Sequence, residues 1–433
     1  MITKNFTWIN GIFAFLLLLN MGCATSQNTP QGATASEFPQ SFTVQVTNPL
    51  NRERESVLVL ISEADLQRSH RSFNRQAFAV YDGTIEIPSQ YNAKDTFNKG
   101  IALVLDNMKA GETRKLTVRY RQSGTNQRTY PKRTQAELSK KVGGRFENRK
   151  YIGGTFQNID SLRVPDEVTD HSYYLRYEGP GWESDKVGYR FYLDWRNGVD
   201  VFGKKTNAMV LQQVGLDGYD SYHNPQPWGM DILKVGKALG VGSLAIFDNG
   251  KAVRVEKTDS TYSKITQNGD VYSSILTDYY GWQVAGQKLN VHSQLSIHAG
   301  TRLTRHQMRL ENGQPQNIST GLIKDKAAKL VSSKGEAGKS YGYIATYGPQ
   351  TLNTPPDKVG IAVLFKPQDL ITLTQDPLNH VVQLKPSNGQ AEYYFLAAWE
   401  LEPNGIKTEE QFHQYLKRTA EELAHPVQVK VSR

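Results

Sequence analysis

The sequence predicts an all-β protein, and three observations carry that expectation. Short runs that alternate apolar and polar residues recur between residues 40 and 120, with turn signals between them. Longer alternating strands follow beyond Tyr151, and one capped helical pattern stands near the C-terminus. Together they predict a small N-terminal immunoglobulin-like sandwich over residues 40–122, a charged linker over 123–150, and a large antiparallel β-sandwich over 151–433 that carries a C-terminal helix.

The 433-residue chain opens with Lys4 and an apolar run, Ile12 to Leu19, that is too short to span a bilayer by itself. A secretory signal over residues 1–22 is therefore expected. Its end, Asn20-Met21-Gly22-Cys23, resembles the lipobox of bacterial lipoproteins, which implies lipidation of Cys23 and a protein held in the periplasm or on the outer membrane. Cleavage near Ala24 to release a soluble protein is the competing expectation. Residues 23–39 are small, polar and proline-bearing, as in a flexible tether. Cys23 is the sole cysteine, so no intrachain disulfide can form.

Lysine and arginine number 51 against 42 acidic residues, a net charge of +9 spread along the chain without a basic block. That distribution argues against nucleic acid and suits an acidic oligosaccharide or polysaccharide; plain surface solubility explains it equally well.

In the small sandwich, Phe42, Val44 and Val46 alternate with polar residues, and Glu55 to Ile61 form a second strand. Further strands are expected at Phe78–Tyr81, Thr84–Ile87, Ile101–Leu105 and Lys115–Tyr120, parted by Asp82-Gly83, Pro88 and Ala110-Gly111. The next stretch breaks the pattern, and a domain boundary with a short helix is expected there. Its Lys132, Arg133, Lys140, Lys141, Arg145, Arg149 and Lys150 line an anionic groove or decorate a solvated linker.

In Tyr189 to Arg196, period two sets Tyr189, Phe191, Leu193 and Trp195 on a core face and Arg190, Tyr192, Asp194 and Arg196 on a polar one. That polar face calls for a ligand or for mutual pairing. Val291 to His298 repeats the theme with His292, Gln294, Ser296 and His298, and Thr301 to Leu310 returns beside it after Ala299-Gly300. Glu392 to Glu400 makes a third long strand. Thr408 and Gln411 form a capping box before Phe412, Tyr415, Leu416, Ala420 and Leu423, and His425-Pro426 ends the helix ahead of a last strand, Val427 to Val431.

Function is expected between His171 and Gly242, where aromatic rings, charges and glycines are dense. A pyranose stacks its C–H face on a ring and presents hydroxyls to polar partners, so this segment reads as a carbohydrate site. The bland alternative is a β-rich core with a solvated face and a long loop. Phosphate-loop, HExxH and GxSxG motifs are absent, and the acids Glu178, Glu183, Asp185, Asp194, Asp217, Asp220 and Asp231 select no glycosidase pair by spacing. Tyr219, Tyr222 and His223 lie in GYDSYHNPQPWG, a loop expected to present them. Abstracting the C5 proton of a uronate requires a proton acceptor and a group that stabilises the enolate-like carboxylate. His223 is the expected base with Tyr222 or Tyr219 as proton partner, and His298 is its rival. Arg190, Tyr192, Arg196, Lys204, Lys205, Trp228, Asp231, Lys234 and Arg302 are the expected substrate-binding residues. No cofactor is expected; a bound metal ion stays open.

The run WESDKVGYRFYLDWRNGVDVFGKKT, followed by GLDGYDSYHNPQPWGMDILKVGKALGVGS, resembles an uncharacterised-domain family of exported bacterial proteins encoded in polysaccharide-degradation clusters. The resemblance covers roughly residues 40 to 430. It implies a lyase-like β-sandwich of the mutarotase supersandwich kind, uronate-containing polymers as substrate class and other glycan-degrading enzymes as pathway partners. Two functions follow as expectations: a lyase or dehydratase that eliminates a sugar or water from uronate oligosaccharides, or a non-catalytic glycan-binding surface lipoprotein. A hydrolase is a weaker third.

Overall fold

The computed structural model describes residues 37–432. The signal, Cys23 and nearly all of the tether therefore lie outside the described residues. All pairings between named strands are antiparallel, as the alternating pattern requires of sheets with one buried face.

The N-terminal strands form two small antiparallel sheets. One sheet has the order Gln428–Val431, Gln40–Thr47, Thr113–Tyr120, Phe78–Asp82, Ile85–Ile87, and the other joins Arg54–Ser62, Gly100–Met108 and Ser89–Tyr91. Phe42, Val44, Val46, Val59, Leu103 and Val118 fill the space between them. The final strand of the chain does not extend the large sandwich: it crosses back and pairs with the first, Val44 opposite Val431. One short helix, Glu63–Ser69, arises without a periodic signal, because the Ser62 side chain caps it by accepting from the Asp65 N–H.

A nine-stranded sheet runs from Ser161–Arg163 at one edge to Lys329–Ser333 at the other and passes through Tyr272–Val284, Gln287–His298, Leu303–Glu311 and Gln390–Trp399. Its inner face packs against two five-stranded sheets around Trp182, Tyr189, Trp282, Phe395 and Trp399. On its other face the helix Glu409–Ala424 lays Phe412, Leu416 and Ala420 over Tyr343, Ala345 and Leu396. The expected capping box is present in full. Close approach of the helix needs Gly360, where a Cβ would stand 2.5 Å from the Phe412 ring.

The polar face of Gln287–His298 is covered by the small sandwich. Asp95, fully buried, accepts from the Gln294 amide, the Tyr272 and Ser274 hydroxyls and the Phe97 and Asn98 N–H groups, so its charge is answered by dipoles alone. Arg54 donates to the His425 carbonyl at 2.8 Å, which places a cation on the helix C-terminus, and Arg52 donates to the Arg418 carbonyl at 2.7 Å further back along the helix.

Two expectations are corrected. The charged stretch forms no helix: Thr134–Glu137 joins an inner sheet, and Ser139–Glu147 with Lys150–Asn158 makes a two-stranded ribbon. Lys140, Lys141, Arg145, Arg149 and Lys150 ride on that ribbon, whereas Lys132 binds Asn268 and Arg133 binds Asp185 and Asp106. The strand at Tyr189 ends at Phe191, because Asp194 accepts from the Arg196 N–H and closes a turn; Trp195 thereby leaves the core and is 38% exposed.

Candidate functional site

The strands Val187–Phe191, Val199–Lys204 and Gly229–Asp231 are neighbours in one inner sheet, and their register carries three ionisable side chains together. Arg190 pairs directly opposite Asp200 across the strands, so both side chains share one face. The Arg190 guanidinium, fully buried, reaches Asp200 at 2.8 Å and Asp231 at 2.5 Å and donates to the Tyr222 hydroxyl at 2.8 Å. Tyr192 donates to the same Asp200 oxygen at 2.5 Å. Burial, then the neighbouring Asp231 charge, pushes the Asp200 carboxyl up to about 7.

His223 is where this cluster meets solvent. Its Nε2 lies 3.4 Å from Asp231 Oδ2, and its side chain is 40% exposed while Asp231 is buried. The hydrogen bond to Asp231 holds the imidazole above its ordinary pKa, against the opposing effect of burial. Beside it runs a row of rings: His223 to Tyr222 at 4.6 Å, Tyr222 to Tyr219 at 6.3 Å, and Tyr219 to His171 at 5.7 Å, with Tyr173 stacked on Tyr219 at 4.9 Å. Trp228, half-buried, leans on Phe202 at 6.0 Å, next to Tyr222.

The far end of the row repeats the histidine–carboxylate theme. His171 Nδ1 lies 2.5 Å from Asp170 Oδ1, and both side chains are exposed. A carboxylate can only accept, so Nδ1 is the donor, and in the neutral ring the lone pair lies on Nε2. The backbone that holds this end is strained: His171, Tyr173, Tyr177 and Glu178 have φ of 54°, 59°, 39° and 70°. Left-handed geometry in side chains of this size costs on the order of 1–3 kcal/mol each and concentrates at functional sites.

Asp170, His171 and Glu178 come close enough to surround a cation, yet Arg196 already serves as that cation. It reaches Asp170 at 2.8 Å, Glu178 at 2.5 Å and Asp194 at 2.5 Å.

Several expected site residues are buried or paired within the protein. Arg190 and Arg196 spend their donors on protein carboxylates, so neither offers a free fork to a substrate acid. Lys204 and Glu183 form a wholly buried pair at 2.5 Å, and Glu183 also takes the Val210 and Leu211 N–H groups. Tyr219 and Tyr222 are buried instead of presented: Tyr219 donates to the Leu175 carbonyl at 2.8 Å, and the Tyr222 oxygen accepts from Arg190. His223, Lys205 and Lys234 are exposed as expected, and the Lys205 N–H binds the Trp228 carbonyl at 2.7 Å. His298 and Arg302 do not join this group; they line a separate cavity on the outer face of the nine-stranded sheet. Asp170, His171 and Asp200 were not singled out from the sequence. The Asp-His pair directly ahead of Tyr173-Tyr174 was the available signal.

Among solved structures the chain is similar to an alpha-mannosidase from Enterococcus faecalis V583, at a TM-score of 0.48 and 8% identity over 93% of this chain and 47% of that one. It is also similar to a protein in the glycosyl hydrolase family 38 from Enterococcus faecalis, at a TM-score of 0.44 and 8% identity over 93% and 49%. The chain thus spans about half the length of either. No curated protein matches it. A family described as domain of unknown function (DUF4861) matches residues 46–429, nearly the whole of the folded chain, and the protein belongs to that family.

Proposed function

We propose that this protein acts on carbohydrate as a carbon–oxygen lyase that eliminates a sugar or water from uronate-containing oligosaccharides. The observation that carries the reading is the pair of histidine–carboxylate units, His171–Asp170 and His223–Asp231, at the two ends of one row of aromatic rings. Elimination requires one group that takes a proton and another that gives one. His171 Nε2 takes the C5 proton, the C5–H electrons form the C4–C5 double bond, and the C4–O bond breaks. His223, which Asp231 biases toward its protonated form, supplies the proton to the departing oxygen. Tyr219 and Tyr222 are buried, so half-buried Tyr173 and Trp228 beside the row supply the ring surface for the sugar. Lys205 and Lys234, exposed and in no ion pair among the described residues, are the cations left to meet the uronate carboxylate. Attachment to the outer membrane through Cys23 and work alongside other glycan-degrading enzymes belong to the same proposal.

One observation favours the second reading, a non-catalytic glycan-binding protein: the cations beneath the ring row are already neutralised by protein carboxylates. Ultraviolet absorbance during incubation with a panel of acidic oligosaccharides separates the two. An eliminase produces a conjugated C4–C5 double bond and a rising signal, whereas a binding protein leaves its ligand unchanged.

A further inference from the structure

A cavity of about 890 Å³ opens between the small sandwich, the turn after Gln287–His298 and the helix Glu409–Ala424. Its size lies within the range of about 300–1,000 Å³ typical of small-molecule sites. Neither His171 nor His223 lines it. Four of its basic residues are already neutralised: Arg302 by Glu402, Arg305 by Glu392, Arg133 by Asp185 and Arg418 by Glu422.

Arg54 and Lys186 are different. Arg54 bonds only to main-chain carbonyls, His425 at 2.8 Å and Glu422 at 3.4 Å, and its buried Nε has no partner. Burial accordingly lowers its pKa, with only a partial offset from Glu422. Lys186 enters no ion pair among the described residues. Glu55 also lines the cavity, but it is exposed, where water screens its charge. His298 Nδ1 lies 3.0 Å from the Ala299 carbonyl, which can only accept, so the proton sits on Nδ1 and Nε2 is an acceptor without a partner among the described residues. Half-buried Tyr394 and Tyr415 supply ring surface, each braced by a neutralised guanidinium.

We propose that this cavity is a second carbohydrate site, one that takes a sugar bearing an acid group, either a carboxylate or a sulfate ester. The acid lies on Arg54 and Lys186, a hydroxyl donates to His298 Nε2, and the ring rests against Tyr394 and Tyr415. Two unneutralised cations, one acceptor and two tyrosine rings match that ligand, and a neutral sugar would leave both cations unanswered. The site operates whether or not His171 and His223 perform chemistry.

Titration calorimetry and ligand-observed NMR on the full chain test this, with D-glucuronate, glucose 6-sulfate, glucose and inorganic sulfate as probes. At least one acidic sugar is expected to bind, glucose at least tenfold more weakly, and whichever acidic sugar binds better identifies the acid group. K186Q and R54Q should each weaken the acidic sugar by tenfold or more. Because Arg54 also holds the helix end, K186Q, which breaks no bond, keeps the test valid if R54Q unfolds. The proposal fails if neither acidic sugar binds, if K186Q binds as tightly as the parent, or if inorganic sulfate binds as tightly as the sugars, which would mean an adventitious ion only. Loss of turnover in H223A with this binding intact would bear on the elimination reading alone.

Discussion

His223 Nε2 stands 3.4 Å from Asp231 Oδ2, and that same carboxylate oxygen is anchored 2.5 Å from the buried Arg190. Asp200 and Asp231 both bond this guanidinium, and Glu178 lies 3.8 Å from it, so carboxylates outnumber the cation they share. A protonated His223 adds positive charge at the solvent edge.

Removing that proton site has a defined pH signature. The folded pKa of His223 is raised, so the stability it contributes is fully present below the unfolded value near 6.5 and is lost as pH rises through the folded value. The thermal stability advantage of the parent over His223→Gln should therefore be largest in mild acid and shrink in alkali. Melting curves from pH 5 to pH 9 measure this, and a difference independent of pH would refute the linkage.

His171 and Asp170 are expected to matter for turnover more than for fold, since both are exposed. On a confirmed substrate His171→Gln should lower kcat by about 10²-fold or more, in line with the loss of a general base, while KM changes little. Asp170→Asn should lower kcat less, because it leaves Nε2 in place while it disturbs the tautomer and removes one of the carboxylates paired with Arg196. Near-normal turnover in His171→Gln would move the base elsewhere.

Arg190 should prove indispensable to the fold. Replacing it with Met strands Asp200 and Asp231 in a buried site, at a cost of about 3–5 kcal/mol for breaking a buried ion pair. Chemical denaturation reads this directly. A stable Arg190→Met protein with weakened binding of acidic sugars would instead return Arg190 to the substrate.

Half-buried His298 and buried His306 predict acid sensitivity. Burial pushes His298 down to about 4 and His306 down to about 3, so the unfolded chain binds protons at these positions first as pH falls below about 6.5. Stability present above that value should decline toward pH 4. His306→Asn should flatten this part of the profile, as followed by denaturant midpoints.

Membrane attachment is expected to depend on Cys23. Cys23→Ala should move the protein from the membrane fraction to the soluble one. Unchanged fractionation would favour cleavage near Ala24.

Much of this architecture was legible because its signals are local. Period-two alternation located strands between Phe42 and Tyr120 and those at Val291–His298, Thr301–Leu310 and Glu392–Glu400, and the Thr408–Gln411 capping box located the helix. The aromatic loop is legible as a loop from its glycines and prolines. The accessibility of its side chains was not legible: glycine and proline around Tyr219 and Tyr222 signal a loop, but Phe202, Leu211 and Val214 enclose those rings from elsewhere in the chain.

The sequence by itself therefore determined the all-β class, the helix and the presence of histidines, tyrosines and arginines in one segment. Tertiary structure alone decided their roles. Arg190 meets Asp200 through strand register and Asp231 through a third strand, and Arg196 meets Glu178 across a strained turn. A charge taken out of water must find its counter-charge within a few ångströms, and which carboxylate lies there is fixed by long-range pairing that no local periodicity encodes.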